Sequence, residues 1–230
     1  MTLPWRKPSC GADLLHPALL RTLRKPWYAL SVPVFPCFLD VEASGFSRGS
    51  YPISIAWNDP TGTIERCLID PASVPAWTDW DPAAETVHGL TRERLNRNGW
   101  SAAYVAETLN RSLEGQTVST DAPDYDSRWL DRLFASVDVP RRFEIAHADD
   151  LLLPLLVRPG EFQWQGVARL ETLKEKVRRL VPGHHDAGYD VGYLIQVWRA
   201  ALGNPVKMGH GIGPLPETTA TGTFVRVKQG

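Results

Sequence analysis

The sequence predicts an α/β protein built on a mixed sheet, with three antiparallel strands followed by parallel strands and with helices on both faces. The first observation is a group of three apolar or alternating segments, 34–43, 51–57 and 63–70, which clusters of turn residues separate. Such segments form an antiparallel meander. The second observation is that short strand segments alternate with helical patterns after residue 81, which is typical of a sheet covered by helices.

The later elements follow from capping residues and apolar periodicity. Asp81 and Pro82 mark the start of a helix that extends to residue 90, because an Asp cap and a Pro at the first helical position favour helix initiation. Ser101 caps the next helix, and Asp126 opens a helix that extends to residue 134. The remaining predicted elements are short strands at 117–120 and 143–146 and helical stretches at 151–157, 166–180 and 186–202.

We expect one main domain over residues 31–202, with a less regular segment on each side. Residues 1–30 are predicted to form a basic N-terminal arm with a short amphipathic helix at 17–24. Residues 203–230 are predicted to form a flexible tail rich in Gly and Pro, with an extended piece at 223–227. A length of 230 residues is enough to bury the core of one domain.

The composition narrows the class of partner and the compartment. Hydrophobic residues make up 43% and charged residues 22% of the chain, as in soluble globular proteins, and no apolar run approaches the ~20 residues of a membrane span. A net charge of −1 argues against a large, non-specific surface for duplex nucleic acid. The three cysteines lack the spacing of metal or disulfide sites, and prolines interrupt any export signal. We therefore expect a cytoplasmic protein without a membrane partner.

Asp40 and Glu42 form the first candidate site. They follow an apolar run, and residues two apart on a strand point to the same side of a sheet. Two neighbouring carboxylates raise each other's pKa, so near neutral pH the pair needs a shared proton or a cation. Because the same spacing recurs at Asp79 and Asp81, the pair alone does not establish a metal site.

Two further carboxylates and a histidine strengthen this interpretation. Asp126 and Asp190 each lie on the apolar face of a predicted helix, where an ionised carboxylate needs a partner. Each could be a helix cap or half of an ion pair, but together with the strand pair they offer about four carboxylates for two hard cations. His185 lies in the turn before the last helix and is either a surface residue or a general base near the metal.

Three motifs resemble those of the DEDDh (DnaQ-like) 3′–5′ exonucleases. Residues 40–45 are DVEASG and resemble the first motif, D-x-E-x-T/S-G. Asp126 lies between aromatic residues, as the Asp of the second motif does, and residues 185–190 match the third motif, H-x-A-x-x-D. Residues 87–91, VHGLT, are similar to an H-G-I-T segment that many members carry. The matches extend from Phe35 to about residue 198, in the order of the family.

The resemblance implies a ribonuclease H-like fold, an exonuclease domain over 31–202 and two bound Mg²⁺ or Mn²⁺ ions. It implies that Asp40, Glu42 and Asp190 hold one ion, that Asp40 bridges to the second, and that Asp126 binds directly or through water. His185 is then the base that deprotonates the attacking water. Two ions in such a site stabilise both the attacking and the leaving oxygen.

The same resemblance implies contacts with the terminal nucleotide. The backbone of Ala43 and Ser44 and the ring of Phe46 are expected to lie beneath it, and we assign His88 of the VHGLT segment to substrate binding as well. The implied partner is a single-stranded nucleic acid with a free 3′ end. A homodimer, frequent in the family, is a further partner that the sequence leaves open.

Two positions depart from the family pattern. Where the second strand of the family carries Glu in I-I-E-I-G, this chain has Ser54, which leaves the support of the metal ligands and the recognition of the sugar open. Where many members have H-N-A ahead of the second motif, this chain has the segment from Asp121 to Asp124. Those two acids are alternative ligands, although the flanking aromatic residues favour Asp126.

The sequence thus predicts a metal-dependent exonuclease that trims single-stranded RNA or DNA from its 3′ end. Two alternatives stay open: a non-catalytic module that binds nucleic acid or protein on the same fold, and a phosphodiesterase that acts on dinucleotides. A set of four acids with a histidine favours an enzyme, because a scaffold gains nothing from clustered carboxylates. The choice between RNA and DNA and the length of the substrate stay open as well.

Overall fold

The structure, a computed structural model, describes residues 34–181, 183 and 185–206. The predicted N-terminal arm with its helix at 17–24, the extended piece at 223–227 and most of the predicted tail lie outside these residues. The boundaries of the main domain at 31 and 202 therefore stay a prediction.

An antiparallel meander and a parallel strand pair form the sheet. Its strands are β1 (Leu39–Ala43), β2 (Pro52–Asn58), β3 (Ile64–Leu68), β4 (Thr117–Thr120) and β5 (Glu144–His147). β1, β2 and β3 pair antiparallel in that order, and β4 and β5 pair in parallel. A parallel bridge between Phe38 and Ser119 links the start of β1 to β4. The predicted order of antiparallel strands followed by parallel strands is confirmed.

Helices connect the strands after the meander. They are α1 (Pro82–His88), α2 (Arg92–Asn98), α3 (Ala102–Leu113), α4 (Pro123–Ser136), α5 (Ala148–Leu152), α6 (Gln163–Leu180) and α7 (Ala187–Ala201), with 3₁₀ helices at Pro71–Ser73 and Leu153–Leu155. The predicted caps are present, because the Asp81 side chain accepts from the Ala83 N–H and the Ser101 hydroxyl accepts from the Tyr104 N–H. Within the described residues, each helix is too short or too polar to cross a membrane.

Four helices differ from the prediction. α2 was not expected, because only Leu95 among its residues is buried and the segment therefore lacks apolar periodicity. Its start is nevertheless capped by the Thr91 hydroxyl, which accepts from the Arg94 N–H at 3.2 Å. The stretch at 151–157 is divided between α5 and a 3₁₀ helix that contains Pro154, since proline cannot donate the hydrogen bond that continues an α-helix. α4 begins at Pro123 and α6 begins at Gln163, each about one turn earlier than predicted.

The alternation of side chains along β1 separates the two faces of the sheet. Leu39, Val41 and Ala43 are buried in one hydrophobic cluster with residues of α3 and α4. Phe38 belongs to a second cluster that α5, α6 and α7 form on the other side. Helices therefore cover both faces, as predicted. Asp40 and Glu42, at the alternate positions of β1, are only partly buried and point to the face that α7 covers.

Candidate metal centre

A cleft of about 460 Å³ brings the predicted acids together. Five carboxylates line it: Asp40, Glu42, Asp121, Asp126 and Asp190. His185 lines the same cleft. Three aromatic side chains also line it: Tyr125 and Trp129 of α4, and Phe46, which follows β1. All five residues predicted to be catalytic therefore lie at one cleft, although they come from three separate segments of the chain.

Asp126 is held at the cleft by the end of β4. Its side chain is only 1% exposed, and it accepts a hydrogen bond from the hydroxyl of Thr120, the last residue of that strand. Of the two alternative acids in this segment, Asp121 lines the cleft beside Asp126, whereas Asp124 is exposed and is not part of the lining. The structure thus adds Asp121 to the site, which the sequence offered only as an alternative to Asp126.

Asp190 lies in the first turn of α7, and specific contacts hold Asp186 and His185 just before this helix. The Asp186 side chain caps α7 by accepting from the Gly188 and Tyr189 N–H groups, and it also forms an ion pair with Arg66 of β3. The next residue back, His185, has a left-handed backbone with φ of 63°, and its N–H donates to Asp190 Oδ2 at 3.1 Å. These contacts set the position of His185 relative to Asp190.

The carboxylates form two groups that share one residue. One group contains Asp40, Glu42 and Asp190, and the other contains Asp40, Asp121 and Asp126; within each group the ligand oxygens lie within 4.8 Å of one another. Carboxylate oxygens are the ligands that hard divalent cations prefer. The donor set therefore fits a divalent metal ion.

The electrostatics of the cleft favour a bound cation. Burial raises the pKa of Asp40 well above its usual range, and the charges of Asp126, Asp190, Glu42 and Asp121 raise it further. Burial also raises the pKa of Glu42 to about 8, and that of Asp126 and of Asp190 to about 7. Near neutral pH, the metal-free site thus retains protons that a bound cation would displace.

The residues predicted to bind substrate differ in their exposure and in their position relative to the cleft. Phe46 is 66% exposed at the cleft and makes an edge contact with Tyr125 at a centroid distance of 5.6 Å. Ala43 and Ser44 are buried at the end of β1, where the Ser44 hydroxyl accepts from the Tyr51 N–H at 3.1 Å. His88 ends α1, and its Nδ1 accepts from the Leu90 N–H at 3.0 Å; it is not part of the cleft lining. Their contacts with substrate stay predictions.

Two cleft residues were missed by the sequence analysis. Arg178 of α6 and Tyr193 of α7 line the cleft beside the acids. Tyr193 could have been predicted to line the cleft, because it lies three residues after Asp190 on α7 and such residues share a helix face. Arg178 gave no signal, since α6 carries several Lys and Arg residues and its sequence does not show which of them faces the sheet.

Comparisons with known proteins find similarity of fold to exonucleases. The sequence matches no protein-family model and no curated protein, but among solved structures the fold matches exonucleases. A zinc-bound complex of E. coli ExoI with single-stranded DNA is 18% identical, with 69% of this chain and 38% of that chain covered and a TM-score of 0.52. E. coli exonuclease I with an oligonucleotide is also 18% identical, over 72% and 40% of the two chains, with a TM-score of 0.53. The exonuclease I of Methylocaldum szegediense is 20% identical, over 75% and 41%, with a TM-score of 0.52.

This similarity confirms the predicted ribonuclease H-like α/β fold. The low identity means that what the chain shares with these exonucleases is the fold. The chain also spans only about two fifths of their length. The residues of its own cleft therefore carry the evidence for an activity of this chain.

The raised carboxyl pKa values predict how stability depends on pH. Between an ordinary carboxyl pKa of about 4 and the raised values of about 7 to 8, the folded state binds more protons than the unfolded state. The free energy of unfolding contributed by these groups therefore falls as pH rises through this window. Glu42→Gln should raise the thermal midpoint of the metal-free protein near pH 8 relative to the unmutated chain, and it should reduce the stabilisation by Mg²⁺.

The control for this measurement is Asp124→Asn, because Asp124 lies in the same helix turn as Asp126 but outside the cleft. Thermal midpoints in EDTA and in excess Mg²⁺, at about pH 5.5 and about pH 8, should show no change in metal stabilisation for this variant. A Glu42→Gln protein that is destabilised in EDTA near pH 8 would contradict the assigned repulsion.

The pair between Arg66 and Asp186 generates a second prediction. Arg66 is 4% exposed at its side chain, so Arg66→Met should fit sterically while leaving Asp186 without its cation. We expect a loss of about 1.5–3 kcal/mol in the free energy of unfolding, as for a hydrogen bond to a charged group. Urea unfolding measures it, with Arg142→Met as the control, because the pair of Arg142 with Glu114 is exposed on both sides and should contribute under about 1 kcal/mol. Equal effects of the two substitutions would argue against a structural role for the buried pair.

Proposed function

We propose that this chain is a metal-dependent 3′–5′ exonuclease that hydrolyses phosphodiester bonds at the 3′ end of single-stranded nucleic acid. The observation that supports it most is the pair of carboxylate groups that share Asp40 in one cleft, with His185 on the cleft wall. The fold adds support, because solved structures that resemble it include exonuclease I in complex with single-stranded DNA.

Two Mg²⁺ or Mn²⁺ ions are the proposed cofactors. Asp40, Glu42 and Asp190 would hold one ion, and Asp40 and Asp126, with Asp121 nearby, would hold the other. When bound, such ions stabilise negative charge on the attacking and leaving oxygens of a phosphodiester. Because the metal-free acids repel one another, cation binding also stabilises the fold of the cleft.

His185 is the proposed general base. Its side chain is exposed, whereas its backbone is held by the hydrogen bond to Asp190 and by the cap of α7. A neutral imidazole accepts a proton from water at one ring nitrogen and returns it to solvent. The position of His185 next to the acids therefore suits activation of a water molecule at the scissile phosphate.

The aromatic side chains support the proposed preference for single-stranded nucleic acid. Phe46 and Tyr125 are 66% and 45% exposed, and both contact Trp129, with centroid distances of 6.0 and 5.7 Å. Arg128 contacts two members of this group. Its guanidinium lies 5.2 Å from the centre of the Tyr125 ring and donates to the Phe46 carbonyl at 3.3 Å. Exposed rings of this kind stack on the bases of a single strand, whose faces are not covered by a partner strand.

The polarity of hydrolysis is the first test of this function. A cleft that holds the 3′-terminal nucleotide should act on 5′-labelled single-stranded DNA and RNA in the presence of Mn²⁺, and the products should shorten one nucleotide at a time. Gel analysis of such strands, with and without a 3′-terminal phosphate, measures this. Cleavage of a circular single strand would instead indicate an endonuclease, and hydrolysis of dinucleotides alone would favour the dinucleotide phosphodiesterase.

The role of His185 is the second test. His185→Ala should lower the rate by about 10²–10⁴, the usual contribution of a general base, while keeping the metal-induced rise in thermal midpoint. Asp40→Asn should lose both, because Asp40 belongs to both carboxylate groups. His184→Ala is the control: His184 lies outside the described residues and one position away from the motif, and its loss should change the rate much less. An inactive His184→Ala with a nearly normal His185→Ala would show that the base is misassigned.

A further inference from the structure

The cleft has an excess of negative charge that metal ions alone do not balance. Five carboxylates line it, and two divalent cations would leave one negative charge uncompensated. A nucleic-acid strand brings one more negative charge with each phosphate. A cationic side chain in the same cleft would therefore favour binding of the strand.

Arg178 is the one Lys or Arg among the described residues that lines this cleft. Its guanidinium lies 5.4 Å from the centre of the Tyr193 ring, and its Nη2 donates to the Tyr193 hydroxyl at 3.4 Å. Tyr193 is itself buried, at 5% exposed, and lies one turn after Asp190 on α7. The tyrosine thus directs the arginine toward the cleft.

The guanidinium keeps the capacity to bind another anion. Its ion-pair partner among the described residues is Glu175, one turn back on α6, at 3.7 Å. That pair is weak, because both side chains are about half exposed, at 49% and 52%. Arginine presents several N–H groups in a planar fork that matches the oxygens of a phosphate, so a phosphate can replace Glu175.

On the basis of the proposed function, we propose that Arg178 binds the phosphate next to the scissile one on the 5′ side, and thereby sets the minimum length of the substrate. The scissile phosphate belongs among the five carboxylates and their cations, whereas the ion pair of Arg178 is formed outside that group. The adjacent phosphate is the next negative charge along the strand. A substrate that lacks this phosphate gains nothing from Arg178.

Arg178→Met tests the inference, and Arg179→Met is the matched control. Arg179 is the next residue of α6, its side chain is 76% exposed, it pairs with the same Glu175 at 2.9 Å, and it does not line the cleft. The substrates are a trinucleotide, a dinucleotide with and without a 5′-phosphate, and the p-nitrophenyl ester of thymidine 5′-monophosphate. The last compound and the unphosphorylated dinucleotide contain only the scissile phosphate.

For the unmutated chain we expect a higher kcat/KM on the trinucleotide and on the 5′-phosphorylated dinucleotide than on the two compounds with one phosphate. Arg178→Met should lower kcat/KM on the trinucleotide by about 10- to 100-fold, mainly through KM, as expected for one charge-assisted contact. On the p-nitrophenyl ester the loss should shrink to less than about threefold, because the phosphate that Arg178 binds is absent. Arg179→Met should behave like the unmutated chain on every substrate.

Equal losses of Arg178→Met on the trinucleotide and on the ester would overturn the inference, because Arg178 would then act on the scissile phosphate. Binding gives a readout that does not depend on hydrolysis. The affinity for a 5′-labelled trinucleotide, measured by fluorescence anisotropy with Ca²⁺ over a range of salt, should fall in Arg178→Met, and its salt slope should fall by about one. Unchanged binding would overturn the inference, whereas an unmutated chain that binds strands but hydrolyses none would contradict the exonuclease proposal instead.

Discussion

Mutual repulsion among partly buried carboxylates is the constraint on which the rest of the site depends. Asp40 is the centre of this repulsion, because four neighbouring acids all raise its pKa in addition to burial. A protein that gains nothing from such a group would replace it with apolar residues, which pack without this penalty. The cluster is therefore a local loss of stability that binding of cations can reverse, and the surrounding fold has to hold the acids in place until they bind.

The fold meets this requirement with one contact between distant segments and one between neighbouring elements. Arg66 of β3 and Asp186 at the start of α7 are 120 residues apart and form an ion pair, and Thr120 at the end of β4 holds Asp126. Each contact joins a strand of the sheet to the helix that carries a cleft acid. Because strands are fixed by their pairing, the helix starts are fixed as well, and the carboxylates keep their separation despite their repulsion.

The sequence predicted those features that local pattern controls. Strand alternation placed Asp40 and Glu42 on one face, and cap residues located the starts of α1 and α3. The features that the sequence did not predict depend on packing between segments. The short helix α2 has only one buried residue. Arg178 is directed to the cleft by Tyr193, which lies on a different helix. Asp121 was considered only as a substitute for Asp126, because the sequence does not show that both can reach Asp40.

The two departures from the family pattern have related consequences in the structure. Ser54 lies directly across from Glu42 in the pairing of β1 with β2, so the Glu that the family carries there would have placed another acid beside that carboxylate. In this chain the additional acid is Asp121, on the side of Asp126. As a result each of the two groups that share Asp40 contains three carboxylates. The negative charge of the cleft is thus distributed over two groups of three carboxylates that Asp40 joins.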